Sequence, residues 1–133
     1  MTPIRILLAD DHNVIRGGLR LLLEKQPGFH VVAEAADGRQ AVAQAVASRP
    51  DVAILDIAMP QLSGVEAARR INEILPDTAI VILSMHSDEG YVLRALKAGA
   101  KGYLIKDSAE GDLIEAVKAV SDGKAFFSPE ISK

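Results

Sequence analysis

Ile6-Leu7-Leu8-Ala9-Asp10-Asp11 sets four consecutive aliphatic residues against two carboxylates. A strand with one wet face alternates apolar with polar residues; this run has no polar alternate, so both of its faces must be covered. Ile80-Val81-Ile82-Leu83-Ser84 repeats the pattern and closes on a hydroxyl. Together with residues 4–9 and 79–83, three further short runs at 30–34, 52–55 and 102–105 make five strand candidates. Apolar residues recur at helical spacing between them: Ile15, Leu19 and Leu22 in the first intervening segment, Leu113, Val117 and Val120 in the last. Strands alternating with helices imply parallel βαβ units. The expected fold is α/β, with a five-stranded parallel sheet and helices on both faces.

Local signals mark where the helices start and stop. Ser63-Gly64-Val65-Glu66 has the capping-box spacing, in which the hydroxyl and the carboxylate satisfy backbone donors reciprocally. Asp107 or Ser108 suits the N-cap of the last helix, with Glu110 in its positive first turn, and Gly123 suits its left-handed end. Ser128-Pro129-Glu130 then reads as the opening of another helix. The expected division is one domain over residues 1–124 and, over 125–133, either a frayed terminus with one helical turn or, the favoured reading, the start of a linker toward a next module.

The 133 residues suit one domain. With 15 Lys and Arg against 18 Asp and Glu, the formal charge is −3, which argues against this segment gripping nucleic acid, since that relies on clustered cations. The absence of cysteine excludes disulfides, thiolate-held zinc and thiol catalysis. No apolar run approaches the roughly 18 residues of a membrane span, and no secretory leader is legible, so a cytoplasmic location is expected.

In an open parallel sheet, ligands bind beyond the carboxyl ends of the strands, where the strand order reverses. Asp10 and Asp11 end the first strand, Asp56 the third and Ser84 the fourth, while Lys106 follows the fifth. Only the second strand, ending near Ala35-Ala36-Asp37, lacks such a contribution. The strand order 2-1-3-4-5 gathers those five side chains at one edge. Three close carboxylates repel unless a cation intervenes. A hard, oxygen-seeking ion such as Mg²⁺ fits them. Lys106 adds a compact positive charge suited to a phosphoryl oxygen, and Ser84 a neutral donor. A divalent ion, an ammonium and a hydroxyl around one carboxylate suit phosphoryl transfer onto that carboxylate.

Read singly, each part is ordinary: Asp10-Asp11 as a helix-capping turn, Asp56 before Met59-Pro60 as a strand-ending turn, Ser84 as a backbone partner, Lys106 as a solvated charge. Their joint placement carries the reading. His12, His30 and His86 lack metal-ligand spacing; His12 fits the turn after the first strand, and His86 lies near the site. Tyr103 is either a core ring or one that moves between buried and exposed positions. No Walker-type or dinucleotide-binding glycine motif is present.

Asp10-Asp11, Asp56 within Leu55-Asp56-Ile57-Ala58-Met59-Pro60, Gly64, Ser84, and Tyr103 with Lys106 together resemble the receiver domain of two-component response regulators. The resemblance covers about residues 3–123 and implies a flavodoxin-like (βα)₅ fold in which Asp56 accepts phosphate from a histidine kinase. It implies direct Mg²⁺ contacts from Asp11, Asp56 and the Ala58 carbonyl, with Asp10 acting partly through water. Lys106 and Ser84 would take the phosphoryl oxygens. Ser84 and Tyr103 would form a switch pair coupling phosphate to the surface of the fourth helix, fifth strand and fifth helix. Lys106-Asp107 and Phe127-Ser128-Pro129-Glu130 narrow the resemblance to regulators carrying a LuxR-type helix-turn-helix output, which would bind DNA in the full-length protein. A homodimer through the first and fifth helices, one through the fourth-helix surface, and a monomer all stay open.

Two positions depart from the family pattern. Asp107 stands where many receivers have Pro. Ala58 stands where many have a polar residue, and its methyl group cannot orient water. The same substitution weakens the competing reading as a Mg²⁺-dependent phosphohydrolase, since such enzymes often place a second acid two residues after the nucleophile. A phosphate-independent interaction domain with a vestigial site is the other alternative; the retained Asp11, Asp56 and Lys106 oppose it.

Overall fold

A computed structural model describes residues 3–85, 88–106 and 109–128, without the side chains of 109 and 110. The elements run β1 (Ile4–Ala9), α1 (Asn13–Lys25), β2 (Phe29–Ala35), α2 (Gly38–Ser48), β3 (Val52–Asp56), α3 (Gly64–Ile74), β4 (Ala79–Ser84), α4 (Glu89–Lys97), β5 (Gly102–Ile105), α5 (Ala109–Ser121) and β6 (Phe126–Phe127). One parallel sheet takes them in the order β2-β1-β3-β4-β5-β6.

The continuous apolar strands are buried on both sides, as their composition requires. Leu7, Ala9, Ile80 and Ile82 face one layer, formed by Ala41 and Ala45 of α2, Ala67, Ala68 and Ile71 of α3, and Ala95 of α4. Ile6, Leu8, Val81 and Leu83 face the other, with Leu19 and Leu23 of α1 and Leu113, Val117 and Val120 of α5. Alternate side chains of one strand thus build two cores. In α1 the stripe is shifted from expectation: Leu23 is fully buried, whereas Ile15 is 41% exposed.

The sheet has six strands, not the expected five. After α5, Gly123 turns the chain at φ 83°, and Phe126 and Phe127 pair with Gly102 and Tyr103. Ser128 N–H donates to the Tyr103 carbonyl (3.0 Å), and its buried hydroxyl accepts from Ile105 N–H (2.9 Å). Two residues carry no readable period, so only the open edge of β5 reveals this strand. Phe126 and Phe127, within the stretch expected to be linker, thus pair with the sheet.

Ser63 caps α3 by accepting from Glu66 N–H (3.2 Å), but the Glu66 carboxylate turns to Arg69 (2.7 Å) instead of closing the box. The expected caps Asp107 and Ser108, the Glu110 side chain, His86, and Pro129 with Glu130 lie outside the described residues. At Gly64 the start of α3 presses on the end of β3: an added Cβ would sit 2.1 Å from the Asp56 carbonyl oxygen. That approach fixes the loop after Asp56 over the sheet edge.

Candidate functional site

The carboxyl edge of the sheet is built strand by strand. Asp10 follows β1, where its N–H bonds the Ala35 carbonyl of β2 (3.0 Å), and it is fully buried. Its Oδ1 accepts from the His12 N–H at 2.8 Å, a turn that bends the chain into α1. Asp56 is the last residue of β3 and 2% exposed. Its Oδ1 accepts from the Ala58 N–H (3.3 Å). Lys106, just past β5, reaches back across the edge: Nζ lies 2.9 Å from Asp56 Oδ2 and 3.0 Å from Asp10 Oδ2. Ser84 ends β4 and is buried, one residue beyond the register partner of Asp56.

Burial sets the electrostatics and the ammonium redistributes them. Asp56 is raised above the usual carboxylate range, because burial and the nearby Asp10 charge outweigh the bonds from Lys106 and Ala58 N–H. Asp10 goes the other way: burial pushes it up, but the His12 N–H and Lys106 together hold it below its ordinary value. Lys106 loses solvation yet rises, since both carboxylates favour its charged form. Tyr103 is 1% exposed, packed in the core beneath α4 and hydrogen-bonded to Ser84; burial raises its hydroxyl pKa.

The donor set suits a hard cation. Carboxylate oxygens of Asp10, Asp11 and Asp56 and a ring nitrogen of His12 all lie within 4.8 Å of one another. Asp11 Oδ1 is buried and makes no hydrogen bond among the described residues, although the His12 ring nitrogen stands 3.2 Å away; a divalent ion would satisfy it. A cleft of about 250 Å³ opens beside Ala58, lined by Ile57, Ser63, Val65, Tyr91 and Arg94. A larger cavity of about 480 Å³, near Ile4, Phe29 and Lys118, lies at the opposite end of the strands and holds none of these groups.

The structure thus brings Asp10, Asp11, Asp56, Ala58 and Lys106 together at the edge where sequence places them, with Ser84 at the end of β4 and Tyr103 within neighbouring β5. It also adds two features that the linear reading lacks. The His12 ring stands over the carboxylates, with Nδ1 3.1 Å from Asp10 and 3.2 Å from Asp11. β2 contributes after all: its Glu34 meets Arg16 of α1, which in turn bonds the Asp10 carbonyl. The salt-bridging side chains of an amphipathic helix give no linear signal of which partner they choose.

A doubly wound parallel sheet with this lysine-flanked acidic cluster at its switch point defines the class of flavodoxin-like receiver domains. The chain belongs to the response regulator receiver domain family, which it matches over residues 6–118. It is 43% identical over 129 residues to the transcriptional regulatory protein DegU of Brevibacillus brevis, covering 97% of this chain and 55% of that one. It is 44% identical over 130 residues to the oxygen regulatory protein NreC of Staphylococcus epidermidis, covering 97% and 60%. The chain spans little more than half the length of these curated relatives. Among solved structures, a LuxR-family two-component response regulator from an Aurantimonas species superposes with a TM-score of 0.94 at 38% identity, covering 98% of this chain and 94% of the other. The receiver domain of a NarL regulator from Mycobacterium tuberculosis gives 0.88 at 34%, covering 93% and 100%. The chain is thus a receiver domain of the LuxR/NarL type, not a conventional enzyme. Domains of this family bind Mg²⁺ at an acidic pocket. Among the described residues no helix is long and apolar enough to cross a membrane.

Proposed function

We propose that Asp56 is the phosphoacceptor of a signalling switch that charges itself from a phosphohistidine or small acyl phosphate. One observation carries this reading: Lys106 Nζ bridges Asp56 and Asp10 within hydrogen-bond distance, placing a fixed cation where a phosphoryl oxygen would sit. Asp56 attacks phosphorus through one carboxylate oxygen; a new O–P bond forms as the donor's bond to phosphorus breaks and the leaving group departs in line. Asp10, Asp11, Asp56 and the Ala58 carbonyl would hold Mg²⁺, whose charge offsets that of the transferred group. Lys106 and the Ser84 hydroxyl take the equatorial oxygens, acting as preorganised donors. Ser84, already bonded to Tyr103, would pass the change to the α4-β5-α5 surface.

By likeness to its relatives, the full-length protein would receive phosphate from a histidine kinase and act on transcription. It would do so through a helix-turn-helix domain after the linker, with dimerisation as one route of output. The receiver is assigned to residues 1–124 and the start of the linker to 125–133, whose Phe126 and Phe127 pair with the sheet as β6. Intact mass after incubation with acetyl phosphate tests the acceptor: one phosphoryl group is expected, requiring Mg²⁺ and absent in Asp56→Ala. Full labelling of Asp56→Ala would refute the assignment.

A further inference from the structure

Arg16 lies on α1 outside the acidic pocket and engages three groups with one guanidinium. Nη1 donates to the Asp10 carbonyl oxygen (2.5 Å), Nε to Glu34 Oε1 (3.0 Å) and Nη2 to Asn13 Oδ1 (2.9 Å). Its side chain is 17% exposed. Glu34, near the end of β2, also takes Arg20. Burial raises the Glu34 pKa, but Arg20 and Arg16 together hold it below its ordinary value, so it stays charged and anchors both.

The carbonyl that Arg16 grips belongs to the peptide joining Asp10 to Asp11. A peptide is planar, so fixing its oxygen fixes the direction in which the next residue starts. The rest of Asp10 is already held: its N–H by Ala35, its carboxylate by His12 and Lys106. The carbonyl is the remaining handle on the turn, and the direction of the Asp11 carboxylate, about a third exposed, follows from it.

We infer that Arg16, anchored by Glu34, is a positioning residue that sets the Asp10–Asp11 peptide so that both carboxylates converge on one cation. This rests on the reading of Asp10 and Asp11 as metal ligands. It gives a sign that simple electrostatics does not. Removing a positive charge beside a cation site should tighten metal binding by Coulomb's law; removing a positioning residue should weaken it.

The test uses the whole 133-residue chain with Mn²⁺ as probe, free ion counted by electron paramagnetic resonance and Mg²⁺ added in competition. Arg16→Met is expected to weaken Mn²⁺ binding about tenfold, in line with ligand-orienting residues elsewhere. Arg16→Lys keeps the charge but not the planar fork, so it should recover only part of the affinity. Glu34→Gln should fall between. Arg20→Met, which removes a neighbouring cation that also bonds Glu34 but does not touch Asp10, should stay within about twofold of the unchanged protein. Circular dichroism confirms that each variant is folded. Equal or tighter binding by Arg16→Met, or an equal loss in Arg20→Met, overturns the inference while leaving the metal site standing. Failure of the unchanged protein to bind Mn²⁺ saturably overturns the metal-site reading and the inference with it.

Discussion

Asp56 carries its charge where the protein disfavours it. Its folded pKa is raised, by burial first and by Asp10 after it, against the opposing pull of Lys106. For a raised carboxyl the sign is clear: above the folded pKa the ionised group subtracts from stability, and the penalty fades as pH falls toward the ordinary value near 3.8. Asp56→Asn should therefore melt a few degrees higher than the unchanged protein at pH 7 without divalent cations, and the difference should vanish in acid. Thermal melts by circular dichroism across pH check both halves. Glu34 has the opposite sign. Its depressed pKa contributes stability above the ordinary value of 4.5, lost as pH falls through the folded value. Glu34→Gln should accordingly cost stability at pH 7, and the cost should shrink as pH falls below the ordinary value of 4.5.

The elements that frame the site are sensitive to single atoms. Gly64 begins α3 with no room for a side chain, since a Cβ would fall 2.1 Å from the Asp56 carbonyl oxygen. Gly64→Ala should cost at least about 1–3 kcal/mol in urea unfolding, as overpacking does, and should slow phosphorylation by shifting Asp56. β6 supports the other side. Ser128 is fully buried, and its hydroxyl accepts from the N–H of Ile105, the residue before Lys106. Ser128→Ala removes that bond and should cost about 1 kcal/mol, read as a lower urea midpoint with an unchanged slope. α3 also shows how far local signals reach. The Ser63 half of its capping box forms as the sequence predicts, because the hydroxyl and the N–H are three residues apart on one turn. The Glu66 half does not, because Arg69 on the same helix offers a charged partner.

At the scale of the molecule, the proposed metal site would couple ion binding at the sheet edge to the stability of the fold. An ion that binds only the folded state stabilises it by mass action, about 2.7 kcal/mol at a hundredfold excess over its dissociation constant. Mg²⁺ should therefore raise the melting temperature of the unchanged protein in a concentration-dependent way. Asp11→Ala should abolish most of that rise while leaving the metal-free melting temperature nearly unmoved, since the Asp11 side chain is about a third exposed. A rise of equal size in Asp11→Ala would place the ion elsewhere.

Much of this architecture follows from the chain read in one dimension. Doubly apolar strands can be buried only inside a parallel sheet with helices on both faces, and all strands of such a sheet end at the same edge. Asp10, Asp56, Ser84 and Lys106 stand at or just past strand ends in the sequence, so their meeting is a consequence of topology. What tertiary structure alone decided are the contacts that no period encodes. Phe126 and Phe127 become a strand because β5 leaves an edge open. The His12 ring folds over the carboxylates because the Asp10 turn directs it there. Glu34 joins the site through Arg16 because a long charged side chain takes whichever partner the packed helix brings within reach. Backbone periodicity is a local property and survives in sequence; polar side chains choose their partners across space, after the core has set the distances.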